Sequence, residues 1–296
     1  MFTASIQNKD GGVITLTGQE AVYQVVEIVG LNPPQAQINT TTIVGMDGAL
    51  YNSGKLNTRE IVLTVKINGD AEANRLNLYR YFKTNEPCRF FYSNGARDVF
   101  IDGYVRAVEC GLFTNAEQAQ IAILCPFPYF RGVEEIVDDI SSVQALFEFP
   151  FSINGDDPIP FSEYDAARQG QVINNSEGDC GMEIEIALTG DPNDIVTDIT
   201  ITNEMTGEWL SLDGTKFVDG GFVAPQKIYI NTLQGHKRIQ VLDNGVLVNA
   251  FATLRKGSTF LQLRSGSNTI TYKLNDGASN EFAEVLIKHY DTYRGV

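Results

Sequence analysis

The chain has 296 residues and a mass of 32.6 kDa, which suits two domains of ordinary size, each able to bury a core. Its 43% hydrophobic and 20% charged residues exclude an intrinsically disordered chain. The formal net charge of −15 repels phosphate backbones and anionic lipid, so we expect no sequence-specific nucleic-acid binding and no membrane partner.

The charge is unevenly distributed along the chain. Residues 1–132 carry 11 Lys and Arg against 12 Asp and Glu, which leaves 11 against 25 for residues 133–296. The first part is therefore near −1 and the second near −14. The simplest interpretation of the acidic excess is solubility.

The cysteines and the N-terminal region indicate where the protein is made. The four cysteines show neither C-x-x-C spacing nor an obvious disulfide framework. No N-terminal stretch has the pattern of a signal peptide, and no run approaches the ~20 apolar residues that span a bilayer. We therefore expect reduced, mostly buried thiols in a protein made in a cytoplasm.

The first elements of the chain are predicted to be strands. Residues 13–17, 21–29 and 37–44 are rich in β-branched side chains, which favour strands over helices. Residues 59–67 alternate apolar and polar side chains, which indicates a strand with one buried face.

A polar segment punctuated by glycine, residues 45–57, separates two of these strands. Its composition and position predict a long hairpin arm, a place for contacts with a partner. The candidate residues for this contact are Met46, Asp47, Tyr51 and Lys55, and the family resemblance described below implies that the partner is a neighbouring subunit.

One amphipathic helix is predicted over residues 70–84. Asp70 is placed to cap its first turn, and Pro87 marks where the helix has ended. The face predicted to pack on a sheet is centred on Leu76, Tyr79 and Phe82 and broadened by Leu78 and Tyr81.

Further strands are predicted at residues 89–92, 98–108 and 119–124. Pro126 and Pro128 then end the strand pattern. We therefore predict a first domain of residues 1–132. Residues 133–145 are acidic and aperiodic, which predicts a linker, and residues 146–296 are predicted to form a second domain.

The second domain contains many short predicted strands with turns between them. Asn244-Gly245 is the strongest hairpin signal, because a type I′ turn needs positive φ at both central residues. Strands are predicted at 182–188, 198–203, 208–212, 227–231, 238–243, 246–251, 258–263, 269–274 and 283–290. This pattern predicts an antiparallel β-sandwich.

The fold class predicted for the whole chain is mainly β. It comprises an N-terminal β-sandwich or split barrel with one helix and a long hairpin arm, followed by the C-terminal antiparallel sandwich.

The sequence contains no complete motif for catalysis or nucleotide binding. Residues 48–56 only partly match a phosphate-binding loop, because the spacing is one residue too long and Leu56 stands where Ser or Thr is needed. The two histidines, His236 and His289, are far apart in sequence, which disfavours a zinc site or a His-based triad. We expect no catalytic residue, no metal and no cofactor.

One aromatic pair is a candidate for carbohydrate binding. Trp209, the only tryptophan, and Tyr229 could together form a face on which a sugar stacks. Burial of Trp209 in the core of the sandwich is the favoured interpretation.

An ordered set of segments resembles the distal tail protein (Dit) family of long-tailed bacteriophages that infect Gram-positive hosts. In the first part the segments are residues 45–48, 59–67, 78–82, 101–105 and 121–130. In the second part they are residues 147–151, 201–208, 258–263, 266–270 and 293–296.

The resemblance implies a structural virion protein and not an enzyme. Six N-terminal domains would form a ring that continues the tail tube, each arm would clasp the neighbouring subunit, and galectin-like C-terminal sandwiches would project outward. The implied partners are the tail tube protein, the tail-associated hub protein at the tip and receptor-binding proteins at the periphery. The implied location is the distal end of the phage tail, after synthesis in the host cytoplasm.

Two other classes of function stay open at this stage. A carbohydrate-binding adhesin would use the C-terminal sandwich and expose an aromatic side chain near Trp209 or Tyr229. A cell-wall hydrolase would need two carboxylates facing each other roughly 5–10 Å apart, and the sequence nominates no such pair.

Overall fold

The computed structural model describes residues 2–17, 21–111, 117–141, 143–145, 162–164, 168–275 and 283–296. The chain divides into two compact units, Met1–Val133 with Thr292–Val296, and Glu134–Asp291. It therefore leaves the first unit once and comes back to it in Thr292–Val296, called the return segment below. In these described ranges, no helix is long and apolar enough to cross a bilayer.

The first unit is built from strands and one helix. Its elements are β1 (Thr3–Asn8), β2 (Val13–Thr15), β3 (Tyr23–Val29), β4 (Ala36–Thr41), β5 (Leu50–Leu56), β6 (Arg59–Ile67), α1 (Ala71–Tyr81), β7 (Pro87–Ser93), β8 (Asp98–Cys110), β9 (Gln118–Cys125), β10 (Phe130–Gly132) and, within the return segment, β23 (Thr292–Tyr293).

Most of these strands form one antiparallel sheet in the order β2-β1-β7-β8-β9-β6-β3. Leu16 connects the two ends of this order, because its N–H donates to the Ala4 carbonyl and its own carbonyl accepts from the Val25 N–H, both at 2.9 Å. The sheet thus closes into a barrel around a single apolar core. The predicted alternation of residues 59–67 is confirmed, since every second side chain of β6 is buried.

Helix α1 begins as predicted but buries a different face. The Asp70 carboxylate accepts a hydrogen bond from the Ala73 N–H at 3.1 Å, which confirms the N-cap. Leu78 is fully buried, whereas Leu76 and Tyr79 are exposed. Phe82 is buried as predicted. At about 100° per residue, Leu76 lies about 200° and Tyr79 about 100° away from Leu78, so the prediction was wrong for these two residues.

The second unit contains two larger sheets and a short strand pair. Its strands are β11 (Ile136–Asp139), β12 (Val143–Ala145), β13 (Ser162–Tyr164), β14 (Gln169–Asn174), β15 (Met182–Leu188), β16 (Asp198–Asn203), β17 (Glu208–Asp213), β18 (Lys227–Asn231), β19 (Arg238–Asp243), β20 (Val246–Asn249), β21 (Gly266–Leu274) and β22 (Ala283–His289). Three short 3-10 helices lie at Gly214–Lys216, Val218–Gly220 and Phe251–Thr253.

The two larger sheets pack into a sandwich. One sheet has the order β11-β22-β15-β18-β19-β20 and the other β14-β21-β16-β17. A single cluster of buried side chains draws on both sheets, including Ile184 and Ile230 from the first and Ile201 and Leu210 from the second. The mainly β fold class is therefore confirmed, while the galectin-like character of this unit stays a prediction.

The hairpin signal at Asn244-Gly245 is confirmed. Both residues have positive φ, 48° and 82°, and Asp243 pairs with Val246. In contrast, the strand predicted at residues 258–263 is absent from this described region. Its backbone donates at Thr259 to the carbonyl of Trp209 and pairs at Leu263 with Cys180, so it follows neither sheet over consecutive residues.

The boundaries between the units differ from the predicted domains at two places. Residues 136–139 lie in the predicted 133–145 linker but form β11, an edge strand paired with β22. The return segment lies in the predicted 146–296 domain but belongs to the first unit. Composition does not reveal an edge strand that is acidic, and it does not indicate that a later segment returns to the first unit.

Residues 147–151, one of the segments that carry the family resemblance, lie outside the described residues.

Candidate assembly site on the hairpin arm

The predicted arm is a two-stranded antiparallel hairpin, which we call the arm and define as residues 36–56. β4 and β5 pair only with each other, and the arm interrupts the chain between β3 and β6, which pair side by side in the barrel. The arm is longer than predicted, because the predicted strand at 37–44 supplies its first half. The Asn57 N–H donates to the Gln35 carbonyl at 2.9 Å and closes its base.

Local chemistry explains why these residues form a hairpin. β4 ends in a run of β-branched residues, and Gly45 and Gly48 at the tip adopt positive φ of 87° and 85°. Two side-chain bonds cross between the strands: the Asn39 amide donates to the Ser53 hydroxyl at 3.0 Å, and the Asn52 amide donates to the Thr41 hydroxyl at 2.6 Å. These bonds fix the register near a bulge in β5.

The arm carries apolar side chains but has no core. All six residues of β4 and the first six of β5 are exposed, and Leu56 is half-buried. Exposed large apolar side chains of the arm are Ile38, Ile43, Val44, Met46, Leu50 and Tyr51. A lone two-stranded hairpin is marginal in water, and such a concentration of exposed apolar surface is typical of interaction sites.

The four candidate interface residues fall at two places on the arm. Met46 and Asp47 lie together in the tip, whereas Tyr51 and Lys55 lie on β5, with Lys55 near the base beside Leu56. The Tyr51 ring covers Gly54: a Cβ at that glycine would lie 3.0 Å from the Tyr51 hydroxyl. Sequence reasoning did not single out Ile38, Val44 or Leu50, although the β-branched run beside the glycines was the available signal.

The base of the arm is organised around Arg59, which is only 3% exposed. Its Nε donates to the Pro128 carbonyl at 2.8 Å, and its two terminal nitrogens donate to the carbonyls of Gly30, Asn32 and Arg294. Burial lowers the pKa of Arg59, although an arginine keeps its charge in proteins. No local pattern marks this residue, because its partners are backbone carbonyls from distant segments.

The two candidate carbohydrate residues are not brought together. Trp209 lies on β17 of the four-stranded sheet and Tyr229 on β18 of the six-stranded sheet, and both point away from the core of the sandwich. Trp209 is 38% exposed, so its predicted burial was wrong. The two rings therefore do not share one face for a sugar.

Other polar clusters in the described ranges pair acidic side chains with basic ones. No group of three or more His, Cys, Asp or Glu side chains there is placed to hold a metal ion. His289 is buried with Nε2 3.5 Å from a carboxylate oxygen of Asp138, and burial lowers its pKa. Burial would raise the pKa of Glu185, but hydrogen bonds from Lys288 and Lys227 lower it. Residues 50–56 of the partial phosphate-loop match form strand β5.

A family model of known proteins matches most of the first unit. Residues 9–125 match the family model of the phage tail protein RIFT-related domain. This match begins after β1 and covers the strands from β2 to β9 together with the inserted arm and α1. No curated protein matches the chain.

Solved structures extend the likeness to the whole chain. The Dit protein of phage SPP1, described as a paradigm of the hub adsorption apparatus in phages infecting Gram-positive hosts, has 15% identity and a TM-score of 0.66, with 99% of each chain covered. A chain of the activated phage P2 baseplate with Ca has 13% identity and a TM-score of 0.58, covering 97% of this chain and 98% of that one. The same baseplate with Sr gives 12% identity and a TM-score of 0.57, with the same coverage. The resemblance to distal tail proteins is thereby confirmed for the fold.

Proposed function

We propose that this protein is a structural component of the phage tail tip, a hub that joins the tail tube to the host-adsorption apparatus. The observation that carries the proposal is the phage tail domain at residues 9–125, set in a chain whose whole length follows the fold of a distal tail protein. Its location is the distal end of the tail in the virion. This role is a matter of geometry and requires no catalytic step or cofactor.

The arm supplies the contact between subunits. In this proposal it lies on a neighbouring copy, with Met46, Asp47, Tyr51 and Lys55 in the interface. Each copy gives one arm and receives another, which is a head-to-tail contact that closes into a ring, here of six copies. Burying one large apolar side chain stabilises by ~1.5–3 kcal/mol, so six such side chains offset an association cost of ~4–15 kcal/mol.

The distribution of charge supports this arrangement. The first part, near −1, brings little like charge together when copies meet side by side. The second part, near −14, suits an exposed domain that stays hydrated. We place the tail tube protein on one face of the ring and the tail-associated hub protein on the other. Receptor-binding proteins dock at the periphery.

The test is the mass of the assembled protein. Six copies of 32.6 kDa give a ring of about 196 kDa in native mass spectrometry. Replacing residues 37–55 with an Asn-Gly turn keeps the closed base and should leave the circular dichroism spectrum mainly β while the ring mass is lost. The matched control is Val246→Ser, which removes an exposed apolar side chain from the β19–β20 hairpin of the second unit.

Two results would contradict the proposal. One is a chain that stays monomeric at high concentration and also fails to form a ring beside its tail neighbours. The other is a ring of unchanged mass after the arm has been replaced, which would remove the clasp. The carbohydrate-binding alternative is not favoured, because Trp209 and Tyr229 lie on different sheets.

A further inference from the structure

The arm reaches far from its base, so small changes of angle matter. A seven-residue strand such as β5 is ~23 Å long at ~3.3 Å per residue, and a ~20° swing at the base moves the tip by about 8 Å. That displacement exceeds the range of any side-chain contact. A clasp therefore benefits from a base that holds the arm at one angle before the partner arrives.

The segment leading into the arm, residues 30–35, is held on two sides. On one side, the Arg59 guanidinium donates to the carbonyls of Gly30 and Asn32. Between them, the Leu31 carbonyl accepts from the Val296 N–H at 3.2 Å. A Cβ added at Gly295 would lie 3.0 Å from Pro33 Cδ, so the return segment packs directly against this segment.

The return segment is itself anchored to the barrel. β23 pairs with β10, and the Arg59 guanidinium bonds the Arg294 carbonyl while lying 4.4 Å from the centre of the Phe130 ring. Arg97 donates to the Gly295 carbonyl at 2.5 Å and lies 4.4 Å from the centre of the Tyr293 ring. The buried charge of Arg59 is thus satisfied by carbonyls from three regions that are distant in sequence.

We propose that Arg59 and the return segment form a brace that sets the angle of the arm on its barrel. This inference rests on the proposed function for its use, since the brace pre-organises the clasp. Arg59 and Gly295 are positioning residues in this scheme and touch no partner. Because the return segment follows the whole second unit in sequence, the arm is braced only once residues 134–291 have been synthesised.

The experiment measures the angle of the arm directly in the full-length chain. Nitroxide spin labels are attached at Met46→Cys in the tip and Lys66→Cys on the exposed face of β6, in a Cys110→Ser background. Labelled chain is diluted with excess unlabelled chain so that each distance is measured within one subunit. Pulsed electron resonance then gives the width of the distribution of tip-to-barrel distances.

The perturbing variants are Arg59→Gln and Gly295→Val. Both should broaden the distance distribution at least twofold and raise the concentration needed for ring formation about tenfold. Gly178→Val is the matched control, because a Cβ at Gly178 meets no atom within 4 Å, and it should leave the width unchanged. If Arg59→Gln does not fold, Gly295→Val decides the matter, with circular dichroism as the check on folding.

The outcomes separate the brace from the proposed function. The brace is overturned if a folded Gly295→Val variant has the same distribution width as its control. It is also overturned if the labelled chain without either perturbing variant already has a broad distribution, even if a ring forms. A narrow distribution that broadens in Gly295→Val supports the brace. If this broadening is seen but no ring forms under any condition, the brace stands and the missing ring counts against the clasp alone.

Discussion

Tyr51→Ala should weaken the ring while leaving the folded chain intact. Tyr51 is 68% exposed in the isolated chain, so its truncation removes little surface that folding buries, and the free energy of unfolding should change by less than ~0.5 kcal/mol. A tyrosine side chain of ~200 Å² leaves about 140 Å² for a neighbour to bury, an upper limit near 3.5 kcal/mol. Since alanine keeps part of that contact, about 2 kcal/mol is expected, or about 30-fold in the association constant.

The assay is native mass spectrometry over a concentration series, with thermal unfolding of the same samples. Tyr51→Phe keeps the aromatic ring, so its association constant should lie within about threefold of that of the unaltered protein. Phe90→Ala removes a fully buried side chain and should cost about 3–5 kcal/mol of stability. An unchanged assembly midpoint in Tyr51→Ala would show that Tyr51 is not buried between subunits. Destabilisation as large as that of Phe90→Ala would show that Tyr51 acts within the folded chain.

Three further predictions concern the folded units. Burial lowers the pKa of His289 below its ordinary 6.5, so the unfolded state takes up a proton first and stability falls as the pH drops below 6.5. In thermal unfolding, His289→Gln should flatten this dependence of stability on pH. Equal slopes in the two proteins would contradict the prediction. Gly103→Ala places a Cβ 2.6 Å from Ile123 Cγ2 and should lower the stability of the barrel by about 1–3 kcal/mol in denaturant unfolding. An unchanged unfolding midpoint would contradict this, because it would show that the neighbouring side chains shift at no cost in free energy. Alkylation of the folded protein at pH 8 should add one label by mass, at half-buried Cys110. The other three thiols should not react, because burial raises their pKa to about 12. Those thiols are Cys88, Cys125 and Cys180. Two or more labels would contradict this.

Local signals in the sequence were reliable where the neighbouring chain decides the outcome. The Asp70 cap, the alternation of β6 and the Asn244-Gly245 turn each depend on residues a few positions apart. Predictions that depended on a distant partner did worse. Residues 258–263 have the composition of a strand, but their backbone bonds divide between Trp209 and Cys180.

The candidate site shows the same division. Glycines flanked by strands indicated an arm and pointed to two residues in its tip and two on β5. They did not show that Ile38 and Val44 are exposed, since a β-branched run is equally typical of a buried strand. Arg59 gave no signal at all, because the carbonyls that hold it come from residues 30, 32, 128 and 294.

The sequence by itself determined the mainly β class, the hairpins, the helix cap and the acidic second part, because these follow from side-chain type and short-range spacing. Tertiary structure alone decided how the barrel closes through Leu16, which face of α1 is buried and where the units begin and end. It also brought the return segment against the base of the arm. The physical reason is that pairing between strands and the bonding of buried carbonyls join residues separated by tens to hundreds of positions, and no local pattern encodes the choice of partner.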